Sequence, residues 1–123
     1  MVARQLVSVV DDDESVRESL PDLLREFGFT VETFASAEEF LASESVAQTR
    51  CLLLDIAMPG MSGPALQVEL ARQRRSIPIV FITANADENL RPQLLESGAV
   101  DCLFKPFTES ALLAAVTLAL RAA

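Results

Sequence analysis

The segment that most constrains the fold is a run of four apolar residues, 51–54, which leads directly into Asp55 and then into the turn residues Pro59 and Gly60. A short apolar run bounded by turn signals is typical of a central strand in a parallel sheet, where both faces are buried. The last residue of such a strand lies at the carboxyl edge of the sheet, where open α/β sheets bind their ligands. Asp55 is therefore either a hydrogen-bonded loop carboxylate or the reacting group of a site.

Strand and helix patterns alternate along the whole chain. The strand patterns cover residues 6–10, 30–34, 51–54, 78–82 and 100–104, and the helix patterns cover about 14–27, 36–43, 64–74, 88–97 and 108–121. Ser36 with Glu39 forms a capping box, Pro64 suits the first helical position, and Thr108 suits a helix cap. This alternation predicts an α/β fold, a doubly wound (βα)5 three-layer α/β/α sandwich with a parallel sheet. The strand order cannot be read from the pattern; the flavodoxin-like order 2-1-3-4-5 is the commoner choice at this size.

Composition excludes several functions. A length of 123 residues predicts one domain, residues 1–123, with no second domain. The net charge of −8 disfavours direct nucleic-acid binding, and the absence of His excludes His metal ligands and His bases. The segment 1–5 is too short for a signal peptide and no segment is long enough to span a membrane, so we expect a cytoplasmic location. Cys51 and Cys102 are expected to be free thiols, since strand four holds them roughly 10 Å apart.

The polar residues that end the strands are predicted to meet at one edge of the sheet. Strand one ends at Asp11 and Asp12, strand three at Asp55, strand four at Thr83, and strand five at Lys105, the only Lys in the chain. In the order 2-1-3-4-5 the strands that carry these side chains are neighbours, about 5 Å apart. Crowded carboxylates raise a pKa or attract a cation, and hard oxygen ligands favour Mg²⁺. Asp55 would then be the nucleophile for an acyl phosphate, with Lys105 and Thr83 contacting the phosphoryl group.

Each of these residues also has an ordinary structural interpretation. Asp13 and Glu14 are better explained as acids of a helix first turn, stabilised by the macrodipole, than as metal ligands. Thr83 alone would be a turn hydroxyl, and Lys105 alone a solvated surface charge. Only their joint arrangement indicates a site.

Four segments carry a resemblance to a known family: VVDDDE (9–14), LDIAMPGMSG (54–63), ITA (82–84) and FKPF (104–107). In combination and spacing they resemble the bacterial response-regulator receiver (CheY-like) domain over essentially the whole chain. The resemblance implies a signalling switch, not an enzyme acting on a separate substrate. A sensor histidine kinase, or a histidine phosphotransfer protein, would phosphorylate Asp55 in a Mg²⁺-dependent reaction. Asp11, Asp12, Asp55 and the backbone carbonyl of Ala57 would hold the ion.

The same resemblance implies a switch in which Thr83 and Lys105 contact the phosphoryl group and draw their loops inward. The Lys105-Pro106 bond would be cis. Many members carry an aromatic residue three positions before the Lys, where this chain has Cys102. An aromatic flip at that position is therefore excluded. Ala57 and Asn85 occupy the two positions that tune phosphoryl loss in relatives, and Ala57 has no side chain that could orient water.

The last helix lacks any charge from residue 111 to residue 120 and is apolar nearly all round. Two explanations stay open: an Ala-rich helix with small exposed patches, or an outer face covered by a second copy or a downstream output domain. Receivers commonly pair through the fourth helix, fifth strand and fifth helix, so the resemblance favours the second explanation, with a homodimer covering this face.

Three other functions are consistent with parts of the pattern. A haloacid-dehalogenase-type phosphatase would use Asp11 as its nucleophile, with Asp13 two residues on, but it leaves Asp55 without a role. A receiver-like module that never takes phosphate should lack one of the site residues, and none is missing. A flavin-binding flavodoxin-like protein needs a phosphate-cradling loop after strand one, where this chain has carboxylates.

Overall fold

A computed structural model describes residues 5–84, 87 and 89–122 of the chain. Three sequence-based expectations lie outside the described residues: the character of the segment 1–4, the role of Asn85, and the start of the fourth helix near Glu88.

Five strands form one parallel sheet in the order β2-β1-β3-β4-β5, which confirms the predicted topology. The strands are β1 (Leu6–Val10), β2 (Thr30–Phe34), β3 (Thr49–Asp55), β4 (Ile79–Thr83) and β5 (Asp101–Phe104). β3 begins two residues before the predicted run and includes Asp55. It can start at a polar residue because the buried Thr49 hydroxyl bonds the Ser8 hydroxyl at 2.7 Å and the Ser45 carbonyl at 2.7 Å.

The helices are α1 (Glu14–Glu26), α2 (Ala37–Leu41), α3 (Gly63–Arg72), α4 (Leu90–Glu96) and α5 (Glu109–Ala122), with a 3-10 helix at Glu44–Ala47. Side chains cap four of them as hydrogen-bond acceptors, at Asp13, Ser36, Ser62 and Thr108.

Two helices, α2 and α3, end two residues before their predicted bounds. α2 ends at Leu41 rather than near residue 43, and the 3-10 helix at Glu44–Ala47 follows it. α3 ends at Arg72 rather than near residue 74, because the chain turns into the left-handed region at Arg74, with φ 58°. Pro64 is the second helical residue of α3, not the first.

The core lies in two layers, one on each face of the sheet, as a three-layer sandwich requires. α1 and α5 cover one face and α2, α3 and α4 the other; the buried side chains are Leu20, Leu24, Leu112 and Val116 on the first face and Phe40, Leu66, Leu70 and Leu94 on the second. Cys51 belongs to the first layer and Cys102 to the second, and both are free, as predicted. Burial raises the pKa of the Cys51 thiol to about 12, so it is inert at neutral pH.

The outer face of α5 is partly apolar, as its composition indicated. Leu118 is 50% exposed there, while Leu112, Ala115 and Ala119 face the sheet. Among the described helices, none combines the length and the apolar character that crossing a bilayer demands.

Candidate metal centre

Three carboxylates converge at the carboxyl edge of the sheet. Asp11 directly follows β1, Asp12 is the next residue, and Asp55 ends β3. One oxygen from each of the three lies within 4.8 Å of the others. β1 and β3 are hydrogen-bonded neighbours, so the two strand ends place these side chains side by side. Asp11 is fully buried and Asp55 is 7% exposed, whereas Asp12 faces solvent.

Asp11 is the organising residue of the cluster, because both of its carboxylate oxygens are engaged. Oδ1 accepts the Asp13 backbone N–H at 2.9 Å, and Oδ2 accepts a hydrogen bond from Lys105 Nζ at 2.9 Å. The guanidinium of Arg17 donates to the Asp11 carbonyl at 2.9 Å. These contacts fix the position of Asp11 beneath the more exposed acids.

Asp13 and Glu14 are helix acids, as their sequence context indicated. Asp13 caps α1, where its carboxylate accepts the backbone N–H of Ser15 at 2.9 Å and the Ser15 hydroxyl at 2.7 Å. The hydroxyl hydrogen bond, followed by the backbone one, lowers the pKa of Asp13. Glu14 lies in the first turn of α1.

The protonation of Asp55 depends on its crowding. Burial, followed by the negative charge of Asp11, raises the pKa of Asp55 to about 7, although Lys105 opposes this rise. Hydrogen bonds with Asp12 and Asp11 act in the same direction as burial, since they favour a proton shared among the acids. A cation placed among the three carboxylates would remove this penalty. The donor set is entirely carboxylate oxygen, which fits a hard divalent ion such as Mg²⁺.

Lys105 supplies the positive charge at this edge. Partial burial lowers the pKa of its ammonium, but the Asp11 hydrogen bond and the charges of Asp11 and Asp55 outweigh this, so the pKa is raised. Its backbone N–H donates to the Thr83 carbonyl at 2.8 Å, which ties the end of β5 to the end of β4. The Lys105-Pro106 peptide is cis, as the resemblance implied.

Thr83 and Ala57 complete the predicted set. Thr83 ends β4 and is buried, on the strand next to that of Asp55. Ala57 is exposed in the loop between β3 and α3, two residues beyond Asp55. The structure thus gathers Asp11, Asp12 and Asp55 within 4.8 Å, with Lys105 bonded to Asp11, and it places Thr83 and Ala57 on the adjoining strand and loop.

Sequence reasoning missed three features near the site. They are the Arg17 contact with Asp11, a contact of Glu38 with the loop after Asp55, and the position of Phe104. Phe104 is in register with Thr83 on the neighbouring strand and packs against the same core layer as the buried Cys102. The alternation of β5 is the signal that could have revealed this shared face. The Glu38 contact joins residues 23 apart in sequence and leaves no local signal.

Comparison with known proteins gives a consistent result. Residues 7–117 match the family model of the response regulator receiver domain. Nodulation protein W of Bradyrhizobium diazoefficiens is 46% identical over 116 residues, which cover 94% of this chain and 51% of that protein. Response regulator protein TodT of Pseudomonas putida is 40% identical over 118 residues, covering 96% and 52%. The chain spans about half the length of the curated relatives it matches.

Solved structures resemble the fold closely. Response regulator StyR, known from a low-resolution structure, is similar with a TM-score of 0.88 and 49% identity, over 98% of this chain and 61% of that one. The crystal structure of FixJ-N is similar with a TM-score of 0.85 and 35% identity, over 98% of this chain and 96% of that one.

Proposed function

Since the chain belongs to the response regulator receiver domains of two-component systems, we propose that Asp55 accepts a phosphoryl group from the phosphohistidine of a sensor histidine kinase or a histidine phosphotransfer protein. The observation that carries this proposal is the convergence of three carboxylates, within 4.8 Å, beside a single ammonium. We further propose that residues 1–123 form one receiver domain, which acts in the cytoplasm with its kinase.

Asp55 is the acid best placed to be the nucleophile. Both oxygens of Asp11 are already engaged and its side chain is fully buried, which argues against a phosphatase mechanism with Asp11 as nucleophile. In the proposed step a carboxylate oxygen of Asp55 forms a bond to phosphorus as the P–N bond to the donor imidazole breaks. The bonding pair stays on the imidazole nitrogen, which takes up a proton. The product is an acyl phosphate.

The other residues would bind charge and hold geometry. Asp11, Asp12, Asp55 and the backbone carbonyl of Ala57 would hold Mg²⁺. The bound ion offsets the negative charge of the carboxylates and the phosphoryl oxygens. Lys105 would contact a phosphoryl oxygen, at the expense of part of its interaction with Asp11, and the Thr83 hydroxyl would donate to another. The ammonium is 2.9 Å from Asp11, and its charge also interacts with that of Asp55.

We propose that these new contacts reposition α4, β5 and α5 and so control an output domain or a separate partner. The curated relatives are about twice as long as this chain, which supports an output domain in proteins of this kind. Phe104 is in register with Thr83 on the neighbouring strand, and we propose that it couples to this movement in place of Cys102, which has no aromatic ring. Pairing of two copies through the same face belongs to this proposal.

Incubation with acetyl phosphate and Mg²⁺ tests the proposal. One acid-stable, base-labile phosphoryl group is expected in the wild type by intact mass, with none in Asp55→Asn and none in EDTA. Peptide mapping of the acyl phosphate should locate it on Asp55. A phosphoryl group on Asp11, or steady turnover of phosphatase substrates, would contradict the proposal.

A further inference from the structure

The loop between β3 and α3, residues 56–62, begins directly after Asp55 and carries Ala57, whose backbone carbonyl is one of the proposed metal ligands. One hydrogen bond closes its base, from the Gly63 backbone N–H to the Ile56 carbonyl at 2.9 Å. A second contact reaches it from another element. The Glu38 carboxylate of α2 accepts the Met61 backbone N–H at 3.2 Å through Oε2.

Gly60 makes room for this contact. A Cβ at Gly60 would lie 2.6 Å from Glu38 Oε2, closer than real Cβ atoms approach other heavy atoms. The same residue has φ 75°, a conformation that side-chain-bearing residues rarely adopt. Gly60 therefore meets two needs at once, the turn of the loop and the close approach of the carboxylate.

α2, which carries the Glu38 carboxylate, is packed into the core. Its residues Ala37 and Phe40 are fully buried in the core layer between the sheet and α2, α3 and α4. The adjacent acid, Glu39, bonds to the N-terminus of α2 instead: its carboxylate accepts the Ala35 backbone N–H at 2.7 Å. Glu38 is thus the acid of α2 that reaches across to the loop.

We propose that Glu38 is a positioning residue for the metal centre: it holds the 56–62 loop so that the backbone at Ala57 stays close to Asp55. The inference deepens the proposed function and rests on it. Glu38 acts through the Met61 amide and not as a metal ligand. A hydrogen bond to a charged acceptor is about twice as strong as a neutral one, so the charged form suits this task.

Amide exchange and Mg²⁺ titration test this, with no phosphoryl donor present. In Glu38→Ala the exchange rate of the Met61 amide, measured by NMR, should rise about tenfold, and Mg²⁺ affinity by calorimetry should fall about tenfold. Glu38→Gln keeps an acceptor oxygen but forms the weaker, neutral hydrogen bond, so it should recover part of both losses. Glu18→Ala, at an exposed helical acid with no hydrogen bond or ion pair among the described residues, removes the same charge and should change neither.

The outcomes separate positioning from charge. Equal loss of Mg²⁺ affinity in Glu38→Gln and Glu38→Ala would show that only the negative charge matters and would overturn the proposal, as would unchanged Met61 exchange in Glu38→Ala. A wild type that fails to bind Mg²⁺ would contradict the proposed function as well. Unchanged affinity in Glu38→Ala would contradict this inference alone.

Discussion

The carboxyl group of Asp55 lies close to two other acids, and its protonation state determines whether it can bind a cation. In the folded, metal-free protein burial raises the pKa of Asp55 to about 7, whereas the pKa of an Asp side chain in an unfolded chain is about 3.9. If Mg²⁺ binds there as proposed, it would have to displace a proton from Asp55 at mildly acidic pH. Its apparent affinity is expected to rise with pH until Asp55 is ionised.

Asp55→Asn is expected to stabilise the metal-free protein at alkaline pH. Between about pH 4 and about pH 7 the folded state keeps a proton that the unfolded state releases, so the stability of the wild type falls as pH rises. Asparagine cannot ionise and escapes this loss. In urea unfolding followed by circular dichroism, the free energy of unfolding of the variant should exceed that of the wild type by about 2 kcal/mol at about pH 8. The two values should differ little at about pH 4. A wild type that gains stability over this interval relative to the variant would refute the charge-crowding account.

Lys105→Met should destabilise the metal-free protein by about 2–4 kcal/mol, because it leaves the fully buried Asp11 carboxylate without its ammonium partner. Saturating Mg²⁺ should restore part of the loss, since a cation again faces that carboxylate. Arg25→Met breaks an exposed ion pair with Asp22 and should cost about 0.5 kcal/mol or less. Similar losses in the two variants would show that the Lys105–Asp11 pair is not special.

Ala57→Asn should shorten the lifetime of the phosphoryl group. Ala57 is exposed in the loop beside Asp55, where an amide side chain could orient an attacking water that a methyl group cannot. The decay of purified phosphoprotein, measured after the donor is removed, gives the rate. Equal or faster decay in the parent protein would dispose of this prediction.

At the scale of the elements, the start of α3 is built directly against the end of β3. A Cβ on Gly63, the first residue of α3, would meet the Asp55 backbone carbonyl and would come within 3.1 Å of Phe81 in β4. α3 can approach β3, the strand that ends at Asp55, only because Gly63 has no side chain.

Gly63→Ala should therefore destabilise the protein by about 2 kcal/mol, although Gly to Ala in a helix usually stabilises by about 1 kcal/mol. It should also weaken Mg²⁺ binding, because the backbone of Asp55 must move. Ala65→Gly, at an exposed position in the same turn, is expected to cost about 1 kcal/mol without affecting the metal. Thermal unfolding and calorimetry supply both readouts, and a stabilised Gly63→Ala would contradict the crowding at this junction.

Across the whole molecule, two large apolar side chains are markedly exposed in the described part of the chain, Val68 on α3 at 68% and Leu118 on α5 at 50%. Leu118 borders a shallow groove of about 510 Å³ whose lining includes Leu113, Ala114 and Thr117. Val68 provides a matched control on a different face.

Leu118→Glu should abolish dimerisation of the phosphorylated protein if copies pair through the outer face of α5, because the substitution places a charge in an apolar contact. Val68→Glu should leave dimerisation unchanged. Sedimentation equilibrium before and after phosphorylation measures the association. A phosphorylated wild type that stays monomeric, or equal effects of the two variants, would remove α5 from the proposed interface.

Features encoded within a few residues could be predicted from the sequence. The alternation of strands and helices, the caps at Ser36 and Thr108, and the polar strand ends at Asp11, Asp55 and Lys105 depend on local patterns. Parallel strands all end at the same edge, so the convergence of Asp11 and Asp55 followed once the strand order was chosen. The order 2-1-3-4-5 is the commoner one for a chain of this size, and the structure confirms it.

Tertiary structure alone decided how distant segments meet. The hydroxyl pair of Ser8 and Thr49 lengthened β3, and the contacts of Arg17 with Asp11 and of Glu38 with Met61 surrounded the site. No local pattern encodes these contacts, because each depends on where two elements lie after the core has packed. The sequence by itself thus determined which chemical groups reach the edge of the sheet, and packing determined which groups hold them there.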